Sequence, residues 1–351
     1  MPSESIVIAG RPLGEGHPCF VIAEAGVNHG GRLDQALALV DAAAEAGADA
    51  VKFQTFRADR LVTAEAPKAR YQARNTGDEG GQLPMLRALE LDEATHRALQ
   101  ARCRERGILF LSTPFEETSA DLLERLDLPA FKVPSGEITN LPFLAHLARK
   151  GRPILLSTGM ATLGEVERAL AALREAGDPP VALLHCVSAY PTSPADANLR
   201  AMGTLRAAFQ VPVGYSDHTQ GLEVPLAAVA LGACVLEKHF TLDRRLPGPD
   251  QPASLEPDEL AAMVRGVRTV EAALGHGRKE PAPCERDTAV VARKSLVAAA
   301  DLQAGTPFTA DQAMLLRPGT GLPPSLLPLL EGRILGRDVP KGHLLQLEDF
   351  R

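Results

Sequence analysis

Eight short apolar runs, separated by segments of helical periodicity, constrain this chain more than any other feature. In order they are FVIAEAG, ADAVKFQTF, GILFLSTPF, AFKVPSGE, RPILLSTGM, VALLHCVSAYP, VPVGYSDHT and CVLEKHFTLD. The segments between them, such as LDQALALVDAAAEAGA and LGEVERALAALREAG, repeat apolar residues at helical spacing and end in Gly, a helix stop signal. Strands alternating with helices imply parallel pairing through crossover connections. Eight such units in about 250 residues predict an α/β fold of the (β/α)8 TIM-barrel type and not an open sheet.

Residues 276–293 break this periodicity with Gly, Pro and mixed charge and read as a linker. The predicted organisation is therefore a barrel domain over 1–275 and a small domain over 294–351, the latter with a strand-like KSLVAAA, the loop RPGTGLPP and a short helix near Leu326–Leu330. A module that small has a marginal core and is expected to lean on a barrel or on a second subunit.

The net charge of -7 argues against nucleic acid or an anionic membrane as a general partner, because both select basic surfaces. No run approaches the roughly 18 uninterrupted apolar residues of a membrane span, and the N-terminal stretch lacks the pattern of a secretory leader, so a cytoplasmic address is expected. Cys19, Cys103, Cys186, Cys234 and Cys284 are odd in number and scattered, which favours reduced thiols. Cys186 and Cys234 read as core filler.

A TIM barrel presents its chemistry where the strands end. Polar residues gather there: Glu24, Lys52 and Gln54, Thr113, Lys132 with Ser135 and Glu137, Ser157, Ser188 and Tyr190, Ser216 and His218, Glu237 and His239. Strand alternation puts Lys52 with Gln54, Ser188 with Tyr190, Ser216 with His218 and Glu237 with His239 on shared faces. Two histidines on the last two strands can share an ion, with Glu24 or Glu237 joining directly or through water, and this predicts a divalent-metal site. A single histidine carries no such weight, so His29 and His185 are read as ordinary loop or core residues.

The lysines sharpen the reading. With 8 Lys against 29 Arg, arginine is the default surface cation, yet Lys52, Lys132 and Lys238 all fall inside strand runs. A buried ammonium needs an anion, either a protein carboxylate or a substrate phosphate. Lys238 has the opposite parity and is expected to pair with a helix carboxylate outside the barrel; for Lys52 and Lys132 a substrate anion is favoured. Glu137 is either a structural cap or, if it faces the rim, the carboxylate for acid/base work. No GxGxxG or GxxxxGK[ST] motif supports a dinucleotide or P-loop site.

The stretches AEAGVNHGG, VKFQTF, YQARNTG, STPF, KVPSGEITN, LLSTGM, HCVSAYP, GYSDHTQG, EKHFTLDR and GPDQPASLEPDEL, followed by the small C-terminal module, resemble the sialic acid (N-acetylneuraminate) synthases, including the legionaminate synthases, over nearly the whole chain. The module looks like their antifreeze-like (SAF, β-clip) domain. The resemblance implies condensation of phosphoenolpyruvate with an N-acylated mannosamine to give a nonulosonic acid and phosphate. By motif, His218 and His239 would hold Mn2+ or Mg2+; Glu137 and Glu24 would be the other catalytic candidates. Lys52, Thr113, Lys132, Ser135, Ser188 and Ser216 would bind phosphoenolpyruvate, while Gln54, Asn75, Glu137, Tyr190 and Asp250 would meet the sugar. Arg317, in the RPGTG loop, would reach a partner's sugar site in a domain-swapped homodimer. The chain departs from many bacterial neuraminate synthases in having Ser188 for Asn and NHGG for NHNG, which leaves the acceptor open: N-acetylmannosamine, or 2,4-diacetamido-2,4,6-trideoxymannose as in N,N'-diacetyllegionaminate synthesis. A non-enzymatic carbohydrate-binding protein is the weakest reading, because binding alone does not call for two histidines and two lysines at one rim.

Overall fold

The computed structural model describes residues 5–77 and 80–351; residues 1–4 of the stretch read for a leader lie outside them. The chain divides into two compact units at Gly275 and His276. In the first, a hairpin of β1 (Ile6–Ile8) and β2 (Arg11–Leu13) precedes eight parallel strands. These are β3 (Phe20–Gly26), β4 (Ala50–Thr55), β5 (Leu109–Pro114), β6 (Phe131–Val133), β7 (Ile154–Ser157), β8 (Val181–Cys186), β9 (Val213–Asp217) and β10 (Val235–His239). The sheet order β5-β4-β3-β10-β9-β8-β7-β6 joins the first and last barrel strands through β3 and β10, and β5 packs beside β6. This is the nearly closed barrel that the alternating runs predict.

The outer helices follow from local sequence. Leu163–Ala176 begins with a capping box, in which the Glu165 N–H donates to the Thr162 hydroxyl and the Glu165 carboxylate accepts from the Thr162 N–H. Its buried residues, Val166, Ala169, Leu170 and Leu173, form one stripe that packs on the barrel.

Inside the barrel, the inward-facing residues change character along the strands. Near the strand starts they are apolar: Phe20, Ile22, Ala50, Leu111, Leu155 and Leu184 share one core with Ile6, Ile8 and Leu13 of the hairpin. The hairpin thus plugs the end of the barrel where the strands begin. Its two-residue turn, Ala9-Gly10, has φ of 49° and 79°, the doubly positive geometry that suits the right-handed twist of such a tight connection. Further along the same strand faces, two residues beyond Ile22, Ala50, Leu111 and Leu155, stand Glu24, Lys52, Thr113 and Ser157, and Lys132, Ser216 and Glu237 join them, all buried. A packed apolar floor therefore carries a polar layer, and the site is built on that layer.

The second unit pairs β11 (Ser295–Ala298) with β12 (Ala313–Leu316) antiparallel around a core of Leu296, Leu302, Phe308, Leu335, Val339 and Leu345. The stretch expected to be a plain linker carries a short helix, Arg286–Ala292, none of whose residues is buried. Without an apolar stripe it leaves no periodic signal in the sequence. Among the described residues no helix is long and apolar enough to cross a membrane.

Candidate active site

Above the polar layer opens a cleft of about 470 Å³ lined by residues from the ends of the barrel strands and the loops that follow them. At its base Lys52 Nζ lies 2.7 Å from Glu24 Oε2 and 3.6 Å from Glu237 Oε2 and donates to Thr113 Oγ1 at 2.9 Å. Lys132 Nζ lies 3.3 Å from Glu237 Oε1, which also accepts from the Ser216 hydroxyl at 2.8 Å. Both lysines, expected to meet a substrate anion, thus already meet protein carboxylates.

The two carboxylates respond differently. Burial alone would raise Glu237, but Lys132 and Lys52 outweigh it and hold its carboxyl far below the usual range. At Glu24 burial wins, only partly offset by Lys52, and the carboxyl is pushed up. Two lysines and two carboxylates are thus buried together at the base of the cleft. An anionic ligand entering the cleft would share the lysines with these carboxylates.

Beside the lysines the hydroxyls form a cradle. Ser135 Oγ accepts from the Gly159 N–H at 3.0 Å and lies 3.0 Å from Cys186 Sγ; Ser188 closes the same corner. The buried Ser157 hydroxyl, a strand-end residue to which the sequence assigned no ligand, has no hydrogen-bond partner. Cys186, read as core filler, instead lines this cradle. Its placement one turn of strand alternation before Ser188 was the signal available in the sequence.

The two histidines line the cleft with ring centres 5.5 Å apart. The His218 Nδ1–H donates to the Val187 carbonyl at 2.7 Å, which leaves Nε2 as the free ring nitrogen. His239 Nδ1 is buried without a hydrogen-bond partner and lies 4.0 Å from Asp250 Oδ2. Burial lowers both imidazoles, His218 to about 4 and His239 well below the ordinary histidine range, and so favours their neutral forms. Neutral, neighbouring and incompletely satisfied, the two rings fit a divalent ion. Among the described residues no three His, Cys, Asp or Glu side chains converge on one point, so the remaining positions of such an ion would be open to water and substrate.

Around the histidines, Tyr190 packs its ring 4.1 Å from His218 and stacks on Tyr71 at 5.0 Å. Gln54 Nε2 donates to Glu24 Oε1 at 3.4 Å. Asp250, pushed up to about 6 by burial, lies on the same wall. Glu137, on the turn Ser135–Glu137, faces the cleft and accepts from Asn140 Nδ2 at 2.7 Å, so it is both a capping partner and a rim carboxylate. Asn75 does not line the cleft; its amide donates to the Pro249 carbonyl at 2.6 Å and ties the Arg70–Thr76 helix to the loop bearing Asp250. Arg317 belongs to the other unit, where it is exposed. His29 is fully buried and its Nδ1 accepts from the Gly31 N–H, while His185 Nε2 pairs with the Ala197 carbonyl; neither lines the cleft.

Comparison with known proteins identifies the family to which the chain belongs. The NeuB family matches residues 39–279 and the SAF domain residues 293–351. The chain is 46% identical to the N,N'-diacetyllegionaminic acid synthase of Legionella pneumophila, over 96% of each chain. It is 40% identical to the N-acetylneuraminate-9-phosphate synthase of Mus musculus, covering 89% of this chain and 86% of that one. The crystal structure of N-acetylneuraminic acid synthetase from Leptospira borgpetersenii, in complex with citrate, superposes with a TM-score of 0.73 at 36% identity, over 82% of this chain and 95% of that one.

Proposed function

From its membership of the NeuB family, we propose that this chain condenses phosphoenolpyruvate with the open-chain aldehyde of an N-acylated mannosamine, releasing phosphate. The observation that carries the reading is the pair of buried lysines, Lys52 and Lys132, beside the hydroxyl cradle, with two neighbouring imidazoles lining the same cleft. Lys52, Thr113, Lys132, Ser135, Ser188 and Ser216 bind the phosphate and carboxylate of phosphoenolpyruvate. A divalent ion, Mn2+ or Mg2+, held by His218 and His239, would supply Lewis acidity toward the aldehyde. Carbon 3 of phosphoenolpyruvate bonds to the aldehyde carbon, water adds at carbon 2, and the bond from carbon 2 to the bridging oxygen breaks. Glu137, a carboxylate lining the cleft, is the proposed group that moves a proton to or from the reacting oxygens. Gln54, Tyr190 and Asp250 orient the sugar, and Arg317 of a second subunit completes its acyl site in a homodimer.

A second observation bears on the acceptor. The strand faces that carry Lys52, Gln54 and Thr113 continue to Phe56 and Phe115, whose rings meet edge to face at 5.9 Å, and Leu61, Val62 and Met85 extend this apolar wall. Among the described residues no Arg or Lys other than Lys52 and Lys132 lines the cleft, so within one chain's cleft a second phosphate would find no cation of its own. An unphosphorylated acceptor with a 6-methyl group and a second acetamido group, 2,4-diacetamido-2,4,6-trideoxymannose, suits this wall better than N-acetylmannosamine or its 6-phosphate.

Phosphate release should be measured with phosphoenolpyruvate, Mn2+ and each of these three sugars. Release is expected with both neutral sugars, with the highest kcat/KM for the 6-deoxy compound, and oxygen label placed in the bridging position should leave with phosphate. Release from none of the three would overturn the condensation; preference for the 6-phosphate would overturn only the acceptor assignment.

A further inference from the structure

Asp217 and Lys238 lie outside the cleft, yet they sit one residue before His218 and His239. They are register partners on β9 and β10, and strand alternation turns their side chains away from the face that carries the imidazoles. Both side chains are 0% exposed and their charged ends are 2.6 Å apart. Lys238 therefore pairs with a neighbouring strand and not with a helix carboxylate, as its parity had suggested.

The same pair grips the residue that follows His218. Asp217 Oδ1 accepts from the Thr219 N–H at 2.9 Å and Oδ2 from the Thr219 hydroxyl at 3.1 Å. Lys238 Nζ donates to the Thr219 carbonyl. The backbone on both sides of His218 is thus fixed by one ion pair, and half of that pair comes from the residue before His239. The Thr192 N–H donates to the His218 carbonyl at 2.8 Å and completes the hold.

A buried ion pair is a weak source of stability, since apolar residues of similar volume often serve as well. Apolar residues cannot, however, bind an N–H, a hydroxyl and a carbonyl of Thr219 in fixed directions. We infer that Asp217 and Lys238 are positioning residues that set the separation of the His218 and His239 imidazoles for a shared divalent ion. The inference rests on the metal reading above.

The test is Mn2+ affinity by calorimetry and electron paramagnetic resonance on the full chain, alongside melting temperature and metal-free phosphoenolpyruvate binding. The double variant Asp217→Leu with Lys238→Met should melt near the wild type and bind phosphoenolpyruvate normally. Its Mn2+ affinity should fall by about tenfold or more, the scale of losing a ligand's supporting contact. Asp217→Asn with Lys238→Gln, which keeps groups able to bond Thr219, should recover most of that affinity. Unchanged Mn2+ affinity in the apolar variant overturns the positioning role, as does a parallel loss of melting temperature and metal-free binding. If the apolar variant does not fold, Asp217→Asn with Lys238→Met removes the lysine arm while keeping an amide oxygen to accept from the Thr219 N–H, and wild-type Mn2+ affinity there is equally fatal. A wild type that binds no Mn2+ removes the metal reading and this inference together, whereas an unaffected variant of a metal-binding wild type removes this inference alone.

Discussion

A methyl group on residue 159 would stand 2.5 Å from Ser188 Oγ, 2.7 Å from Ser135 Oγ and 2.9 Å from Cys186 Sγ. All three neighbours are ends of side chains that can swing aside, so the fold should tolerate Gly159→Ala while the hydroxyl cradle does not. We expect that variant to keep its melting temperature within a few degrees and to raise the KM for phosphoenolpyruvate at least about tenfold, the loss of roughly one good polar contact. Steady-state kinetics against both substrates would check it, and a change confined to the sugar KM would place the phosphate elsewhere. The histidines permit a separate prediction. With no third converging ligand among the described residues, removing either imidazole takes away half of the protein's hold on an ion. His218→Ala and His239→Ala should each lose Mn2+ binding and lower kcat by about a thousandfold or more, within the range of several kcal/mol that a Lewis acid contributes. Thorough chelation should silence the wild type reversibly, and full activity in chelator would refute the metal's role.

At the scale of elements, what the sequence revealed and what it hid have physical reasons. The eight barrel strands are fully or nearly fully buried on both faces, so each appears as an uninterrupted apolar run with its polar residues at the end. Strand parity then placed Lys52 with Gln54 and Glu237 with His239 on the inner face. Parity cannot say what lies across the barrel, and so it missed that Glu237 ties Lys52, Lys132 and Ser216 together. It also gave no warning that Asn75 spends its amide on a loop carbonyl, because that contact spans 174 residues. The hairpin escaped notice because three-residue strands carry too few side chains for a period to register. Its role is nonetheless specific: Ile8 is fully buried in the core shared with Ile22 and Leu111. Ile8→Ala should cost about 2–4 kcal/mol of stability by opening a cavity that the surrounding strands cannot fill. Because the plug is at the far end of the strands from the cleft, phosphoenolpyruvate affinity at a temperature where the variant is folded should be unchanged. Denaturant unfolding paired with ligand titration would show both, and a large affinity change would mean that strain at the floor reaches the polar layer.

The whole molecule consists of two units with separate cores, one spread through the barrel and its helices and one confined to residues 296–345 and their neighbours. A chain truncated after Gly275 retains every residue of the first core and every residue that lines the cleft. It should therefore fold and bind phosphoenolpyruvate. If Arg317 serves the acyl site of a partner subunit, as proposed, the truncated chain should fail to turn over sugar, and Arg317→Ala in the full chain should raise the sugar KM while leaving the affinity for phosphoenolpyruvate nearly unchanged. Those results alone do not separate a site completed by a partner from one completed within a single chain. Mixing His218→Ala with Arg317→Ala under conditions of demonstrated subunit exchange does. With sites shared between subunits, a mixed dimer concentrates both defects in one site and leaves the other with an intact His218 from one subunit and an intact Arg317 from the other. Random exchange of equal amounts makes half of the dimers mixed, each with one working site, so at a sugar concentration far below the raised KM of Arg317→Ala, where neither parent turns over appreciably, activity should approach about a quarter of wild type. This follows from the combinatorics of a two-fold assembly. No recovery would mean that the second unit serves the barrel of its own chain, and the homodimer would then have no part in building the site.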